Sequence, residues 1–179
     1  ARLLVTDEFA APPVILRVGD SVIGTLGNFS ASTGKAKSKK TFNVCAIVAA
    51  AMMGGTVLNY SASLPPERRR ILYVDTEQSR FHCKRVLCRI LRLAGLPTDA
   101  HPPLLEFLCL RGYATKERLR KIEEAIYDLD NLGLVVIDGI RDLAHDINSP
   151  GEATDLITKL MQWTDERRIH IHTVLHLNK

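Results

Sequence analysis

Apolar residues along this chain follow two alternating rhythms. Short, nearly unbroken apolar runs end in turn residues, and between them lie longer stretches whose apolar positions recur every three or four residues. Residues 14–18 (VILRV) and 21–32 (SVIGTLGNFSAS) are β-type runs around Gly19-Asp20, a hairpin or strand pair that leads to Gly34. Residues 40–53 are Ala-rich and apolar almost all round, which predicts a buried helix stopped by Gly54-Gly55. RRILYVDTE (69–77) reads as a buried strand ending on acids. Ser79 is then placed to cap a helix in which Val86, Leu87, Ile90, Leu91 and Leu93 repeat at helical spacing up to Gly95.

LLEFLCLR (104–111) is the next strand, and residues 115–131 form a surface helix with Leu119, Ile122, Ile126 and Leu129 on one face. LGLVVIDGI (132–140) is apolar on both faces, as a strand inside a parallel sheet must be. Residues 148–168 begin with Asn148 or Ser149 as cap and Pro150 in the first turn, and IHIHTVLHL (169–177) is the last strand. Strands alternating with helices of this length predict βαβ units and an α/β fold with a mainly parallel sheet flanked by helices. The expectation is one domain over residues 1–179, with 1–13, ending in Ala11-Pro12-Pro13, as a lead-in. The last strand stops two residues before the end of the sequence, where folds of this type continue, so a truncated domain is expected.

Composition narrows the class. Apolar residues are 46% and charged residues 25% of the chain, the balance of a globular protein. The longest apolar run, around VCAIVAAAMM, falls short of the roughly 18 residues a membrane span needs. No charged-then-apolar leader is evident, so the expected compartment is the cytoplasm and no membrane partner is expected. Cys45, Cys83, Cys88 and Cys109 have neither redox nor zinc spacing and read as small, reduced core residues. The net charge is only +4, but the cations are grouped at Lys35–Lys40, Arg68–Arg70 and Arg80–Arg92. Grouped positive charge suits polyanions, either nucleotide phosphates or a nucleic-acid backbone; a solvated helix face is an equal reading for 80–92.

The segment TGKAKSKKTF (33–42) has the length and ending of a phosphate-binding loop, G-x-x-x-x-G-K-[ST], with Gly34 opening it and Lys40-Thr41 closing it. Lys39 stands where the second glycine belongs. Such a loop aims backbone N–H groups and a helix N-terminus at one anion, so Gly34, Lys35, Ala36, Lys37, Ser38, Lys39, Lys40, Thr41 and Phe42 are the candidate nucleotide-binding residues. Lys40 would reach the β- and γ-phosphates and the Thr41 hydroxyl would bind Mg²⁺. A side chain at position 39 matters only if the backbone there needs positive φ or close approach to phosphate. Alone, the segment reads equally as a solvated basic loop before a helix.

Other strand ends change that balance. Asp138, ending LVVID, is placed to hold the metal shell, and Asp75 and Glu77, two apart on one face after YV, offer a general base, for which Glu77 is the candidate. All would open onto the carboxyl edge of one parallel sheet, the ligand edge of such folds. His170, His172 and His176 share a strand parity; alternate strand residues lie roughly 6.5 Å apart, and no carboxylate or cysteine joins them at ligand spacing. His170 and His172 are therefore expected to pack in the sheet, while His176 at the strand's carboxyl end is placed to contact a γ-phosphate.

In order, GKAKSKKT, YVDTEQS, LVVIDGIRDL and VLHLNK resemble the motifs of RecA-like P-loop ATPases, specifically the RepA-like plasmid and mobile-element helicase branch with its DnaB and KaiC relatives, over about Val14 to Lys179. The resemblance implies a RecA-like fold, ATP and Mg²⁺, and Mg-dependent hydrolysis coupled to DNA, single-stranded by expectation. It assigns Lys40, Glu77 and His176 to catalysis, the last as sensor, and Thr41 and Asp138 to the metal. It further implies a homo-oligomer, such as a hexameric ring, in which a neighbour supplies a finger residue, with Arg141 and Lys179 as candidates. Lys39 departs from the pattern. With Lys35, the loop also resembles the deviant loops of ParA/MinD-type ATPases, and the alternative function is a KaiC- or ParA-like assembly switch that unwinds nothing. A third reading is a scaffold that has lost nucleotide binding.

Overall fold

The computed structural model describes residues 2–35, 40–144 and 149–177, with all their side chains except those of Lys35, His176 and Leu177. In chain order the elements are β1 (Val14–Val18), β2 (Ser21–Thr25), β3 (Phe29–Lys35), α1 (Lys40–Met53), β4 (Thr56–Val57), β5 (Tyr60–Ala62), β6 (Arg70–Asp75), α2 (Arg80–Leu93), β7 (Leu105–Cys109), α3 (Thr115–Asp128), β8 (Leu132–Asp138), α4 (Pro150–Arg167) and β9 (His170–Leu177). β3, β9, β8, β6 and β7, in that spatial order, form a five-stranded parallel sheet. This is the expected α/β arrangement, a RecA-like P-loop NTPase fold.

Both faces of the sheet are covered, which is why every residue of β8 is buried. Ile71 and Tyr73 of β6 with Leu134 and Val136 of β8 pack in one core with α1 and α2. Leu72, Val74, Val135 and Ile137 face the other way, against Ile122 and Ile126 of α3 and Leu156, Leu160 and Trp163 of α4. Strand alternation thus puts Asp75 and Asp138, partners in the β6–β8 register, on the α1/α2 face. Among the described residues no helix is long and apolar enough to cross a membrane.

Three local expectations need correction. The run 21–32 is two strands, not one: β2 ends at Thr25, Gly27 turns at φ +78°, and β3 starts at Phe29. β1 and β2 join β5 and β4 in a separate antiparallel sheet whose Ile15, Leu16, Val57 and Ala62 pack with the buried face of α1. β4 and β5, of two and three residues, are too short to show any alternation in sequence. Ser79 is the N-cap of α2, yet its hydroxyl pairs with His82 Nδ1 at 3.0 Å and makes no bond to the first-turn backbone.

β3 is fastened to β9 by side chains as well as by the ladder. Ser30 Oγ lies 2.8 Å from both His170 Nε2 and His172 Nδ1, Ser32 Oγ lies 2.9 Å from His172 Nε2, and His170 Nδ1 lies 2.9 Å from the Thr25 carbonyl. Burial pushes both imidazoles down to about 4, so near neutral pH they are uncharged. As expected from sequence, these two histidines are packed in the sheet.

Candidate functional site

The site gathers at the carboxyl ends of β3, β8 and β6, around the first turn of α1. Gly34 and Lys35 are the last residues of β3 and pair in register with His176 and Leu177 of β9, so Gly34 is a strand residue rather than the first of a turn. Ala36, Lys37, Ser38 and Lys39 lie outside the described residues, as does Lys179. α1 resumes at Lys40, which is buried, and its Nζ donates to the Gly34 carbonyl at 2.6 Å. The lysine thereby spans the two ends of the loop. Phe42, one residue past Thr41, is 38% exposed and does not line the cavity described below.

Thr41 Oγ1 donates to Asp138 Oδ2 at 3.2 Å, tying the start of α1 to the end of β8. The Tyr73 hydroxyl donates to the same oxygen at 3.0 Å. Tyr73 is fully buried and stacks on Phe107 of β7, with ring centroids 4.6 Å apart and planes 10° off parallel. Burial raises its phenol well above the ordinary value, and the Asp138 carboxylate raises it further, so the ring keeps its proton and acts as a donor.

Asp75 and Glu77 do not share a strand face, as the sequence suggested they would. β6 stops at Asp75, and the chain then bends so that Asp75 Oδ1 accepts the N–H groups of Glu77 and Gln78 at 3.0 and 2.7 Å. Gln78 Nε2 adds a bond to Oδ2 at 2.9 Å. An aspartate that folds its own following backbone in this way is an Asx-type turn, and it forms here because the strand ladder has run out of partners. Burial raises the Asp75 carboxyl above its usual range, while the backbone N–H bonds pull it down. Glu77, beyond the bend, is exposed and turned to the cavity.

The bend is laced to the end of β8. Thr76 is buried, and its hydroxyl lies 2.8 Å from the Gly139 carbonyl and 3.0 Å from Asp142 Oδ2. Gly139 takes φ +99°, and a Cβ there would stand 2.2 Å from Thr76 Oγ1, so this junction closes only around glycine.

A cavity of about 370 Å³ opens over these strand ends, lined by Thr41, Asp75, Glu77 and Asp138 from one side. Gln78 and, from α2, His82, Arg85 and Arg89 line it too. Within the basic run 80–92 the signal for these three is the spacing 82, 85 and 89, one face of a helix. Tyr73, Thr76 and Gln78 had no such signal. Cys45, one turn beyond Thr41, is beside Arg89, yet burial pushes its thiol up to about 11 and keeps it protonated.

The donor set fits a nucleotide with Mg²⁺. Among the described residues no group of three or more His, Cys, Asp or Glu could hold a metal by itself. Mg²⁺ prefers one or two protein oxygens completed by phosphate and water, which the Thr41 hydroxyl and Asp138 carboxylate can supply. The N-terminus of α1 adds its dipole, and Lys40, Arg85 and Arg89 add positive charge for phosphate. His176 is brought by its backbone to the same sheet edge, opposite Gly34.

No curated protein matches the chain. A family model described as an AAA domain matches residues 4–179, nearly the whole sequence. The chain therefore belongs to the AAA domain family and is a nucleotide-binding ATPase domain of P-loop type.

Proposed function

We propose that this domain hydrolyses ATP with Mg²⁺ and couples hydrolysis to single-stranded DNA, in the manner of RepA-like helicases and mobile-element replication or mobilisation ATPases. The observation that carries the nucleotide part is the Thr41–Asp138 bond, at 3.2 Å, on the wall of a cavity that Glu77 also lines. A hydroxyl and a carboxylate held together at a helix N-terminus suit a metal shell, and a second, solvent-facing carboxylate nearby suits a water.

Bound MgATP supplies the transferable phosphoryl group and its leaving diphosphate. Lys40 would exchange the Gly34 carbonyl for phosphate oxygens. Thr41 and Asp138 would hold the metal, and Glu77 would orient the attacking water and accept its proton. Arg85 and Arg89 offset charge from the α2 side. His176, in register with Gly34, reads the state of the phosphate end. The DNA part rests on the ordered motifs and on the cations of 80–92. Assembly into a homo-oligomeric ring, with Arg141 or Lys179 as a neighbour's finger, belongs to the same reading.

ATP hydrolysis measured with and without single-stranded DNA tests this on the wild type, Lys40→Ala and Glu77→Gln. Each variant should lose at least about 100-fold in rate, and Glu77→Gln should still bind nucleotide. Unchanged activity in both would sink the site. Slow turnover with ATP-dependent assembly and no strand displacement would instead favour the assembly switch. Lys39→Gly should bind nucleotide more tightly if lysine at that position is a tolerated cost.

A further inference from the structure

Helix α2 faces two cavities. His82, Arg85 and Arg89 face the nucleotide site, whereas Arg80 and Lys84 line a second cavity of about 470 Å³ toward β7, with Phe81, His101 and Phe107. That volume is in the range of small-ligand sites. Arg80 and Lys84 stand four residues apart on one helix face, where like charges repel, and neither has an ion-pair partner among the described residues. Phe81, 68% exposed, projects beside them instead of joining the core. An anion would relieve the repulsion, and a flat ring would cover the phenyl groups.

We infer that this second cavity binds a nucleobase with its phosphate: the base stacks against Phe81 or Phe107 and the phosphate meets Arg80, Lys84 and His101. Cations interleaved with aromatic rings, with no carboxylate among the lining residues, are the recognition chemistry of single-stranded nucleic acid. The unit belongs to a strand rather than to a free mononucleotide because Arg80, Phe81 and Lys84 are all exposed on this face of α2, so that the nucleotides on either side of the bound unit can stay in solvent. This placement rests on the proposed coupling to DNA and gives it an address. It also gives it a neighbour: Phe107, a wall of the second cavity, stacks on Tyr73, whose hydroxyl holds Asp138.

The test is fluorescence anisotropy of a labelled twelve-residue oligothymidylate with the wild-type chain, the double variant Arg80→Glu/Lys84→Glu and Phe81→Ala, across a salt series. The double variant should bind at least tenfold more weakly with a shallower salt dependence, and Phe81→Ala several-fold more weakly. All three proteins should hydrolyse ATP equally without DNA, which also reports that the variants are folded. Wild-type binding that is unchanged in both variants would overturn the placement and leave the DNA reading standing. No oligonucleotide binding by the wild type would overturn both. A competition arm with thymidine monophosphate separates the sources: variants that lose the mononucleotide but keep the oligonucleotide would assign the cavity to a free nucleotide and overturn the strand.

Discussion

Asp75 and Asp138 end neighbouring parallel strands in direct register, both buried and both on the face covered by α1 and α2. Their carboxylates nevertheless have different partners. Asp138 accepts from Thr41 and Tyr73, side chains of two other elements. Asp75 accepts mainly from its own chain, two and three residues on. The difference arises after the strands, not in them: Gly139 turns the chain away at φ +99°, while Glu77 and Gln78 curl back over Asp75. An acid at a strand end is thus available to a ligand or consumed by a turn according to the next three residues.

The comparison breaks most easily at the charge itself. Asp138→Asn keeps the shape but not the charge and should cost at least about 100-fold in Mg-dependent ATP hydrolysis. Asp75→Asn, whose amide oxygen still accepts both N–H groups, should lose less than about tenfold; equal losses would erase the distinction. Next in size is the turn that follows Asp138. Gly139→Ala meets both positive φ and the Thr76 hydroxyl, and its urea midpoint should report about 2–3 kcal/mol of lost stability. Asp75→Ala removes the turn acceptor and should cost about 1–2 kcal/mol by the same measurement. Smallest is Tyr73→Phe, which deletes one buried hydroxyl for about 1 kcal/mol. It should raise the Mg²⁺ concentration for half-maximal activity a few-fold without changing the rate at saturating Mg²⁺, because only the holding of Asp138 is loosened.

Much of the fold was legible because the parallel sheet is buried on both faces. β8 and β6 are unbroken apolar runs, and an unbroken run of that length between turn residues has few other structures open to it. α3 showed its apolar stripe for the opposite reason, being half in solvent, though only Ile122 and Ile126 are fully buried. The antiparallel sheet was only half visible, since β4 and β5 are shorter than one full alternation. Within the site, Asp138 could be placed from a strand-end pattern, but the bend after Asp75 is made by hydrogen bonds that no spacing announces. Tyr73 read as one more core residue; that its hydroxyl meets Asp138 depends on the register of β6 against β8. The sorting of α2's cations into two cavities needed the helix to be docked before its faces had meaning.

The seam between β3 and β9 has a direction. The Thr25 carbonyl can only accept, so neutral His170 carries its proton on Nδ1 and leaves Nε2 bare. Ser30 must then donate to that nitrogen, its oxygen is left to accept from His172 Nδ1–H, and Ser32 donates to His172 Nε2. Every proton in the series points the same way, from Ser32 toward Thr25, and one hydroxyl dictates the tautomers of two rings. Two serines one pleat apart on the strand that leads to Gly34 are therefore unequal: alanine at 32 leaves a single ring nitrogen unmatched at the end of the chain, whereas alanine at 30 severs it in the middle and leaves two.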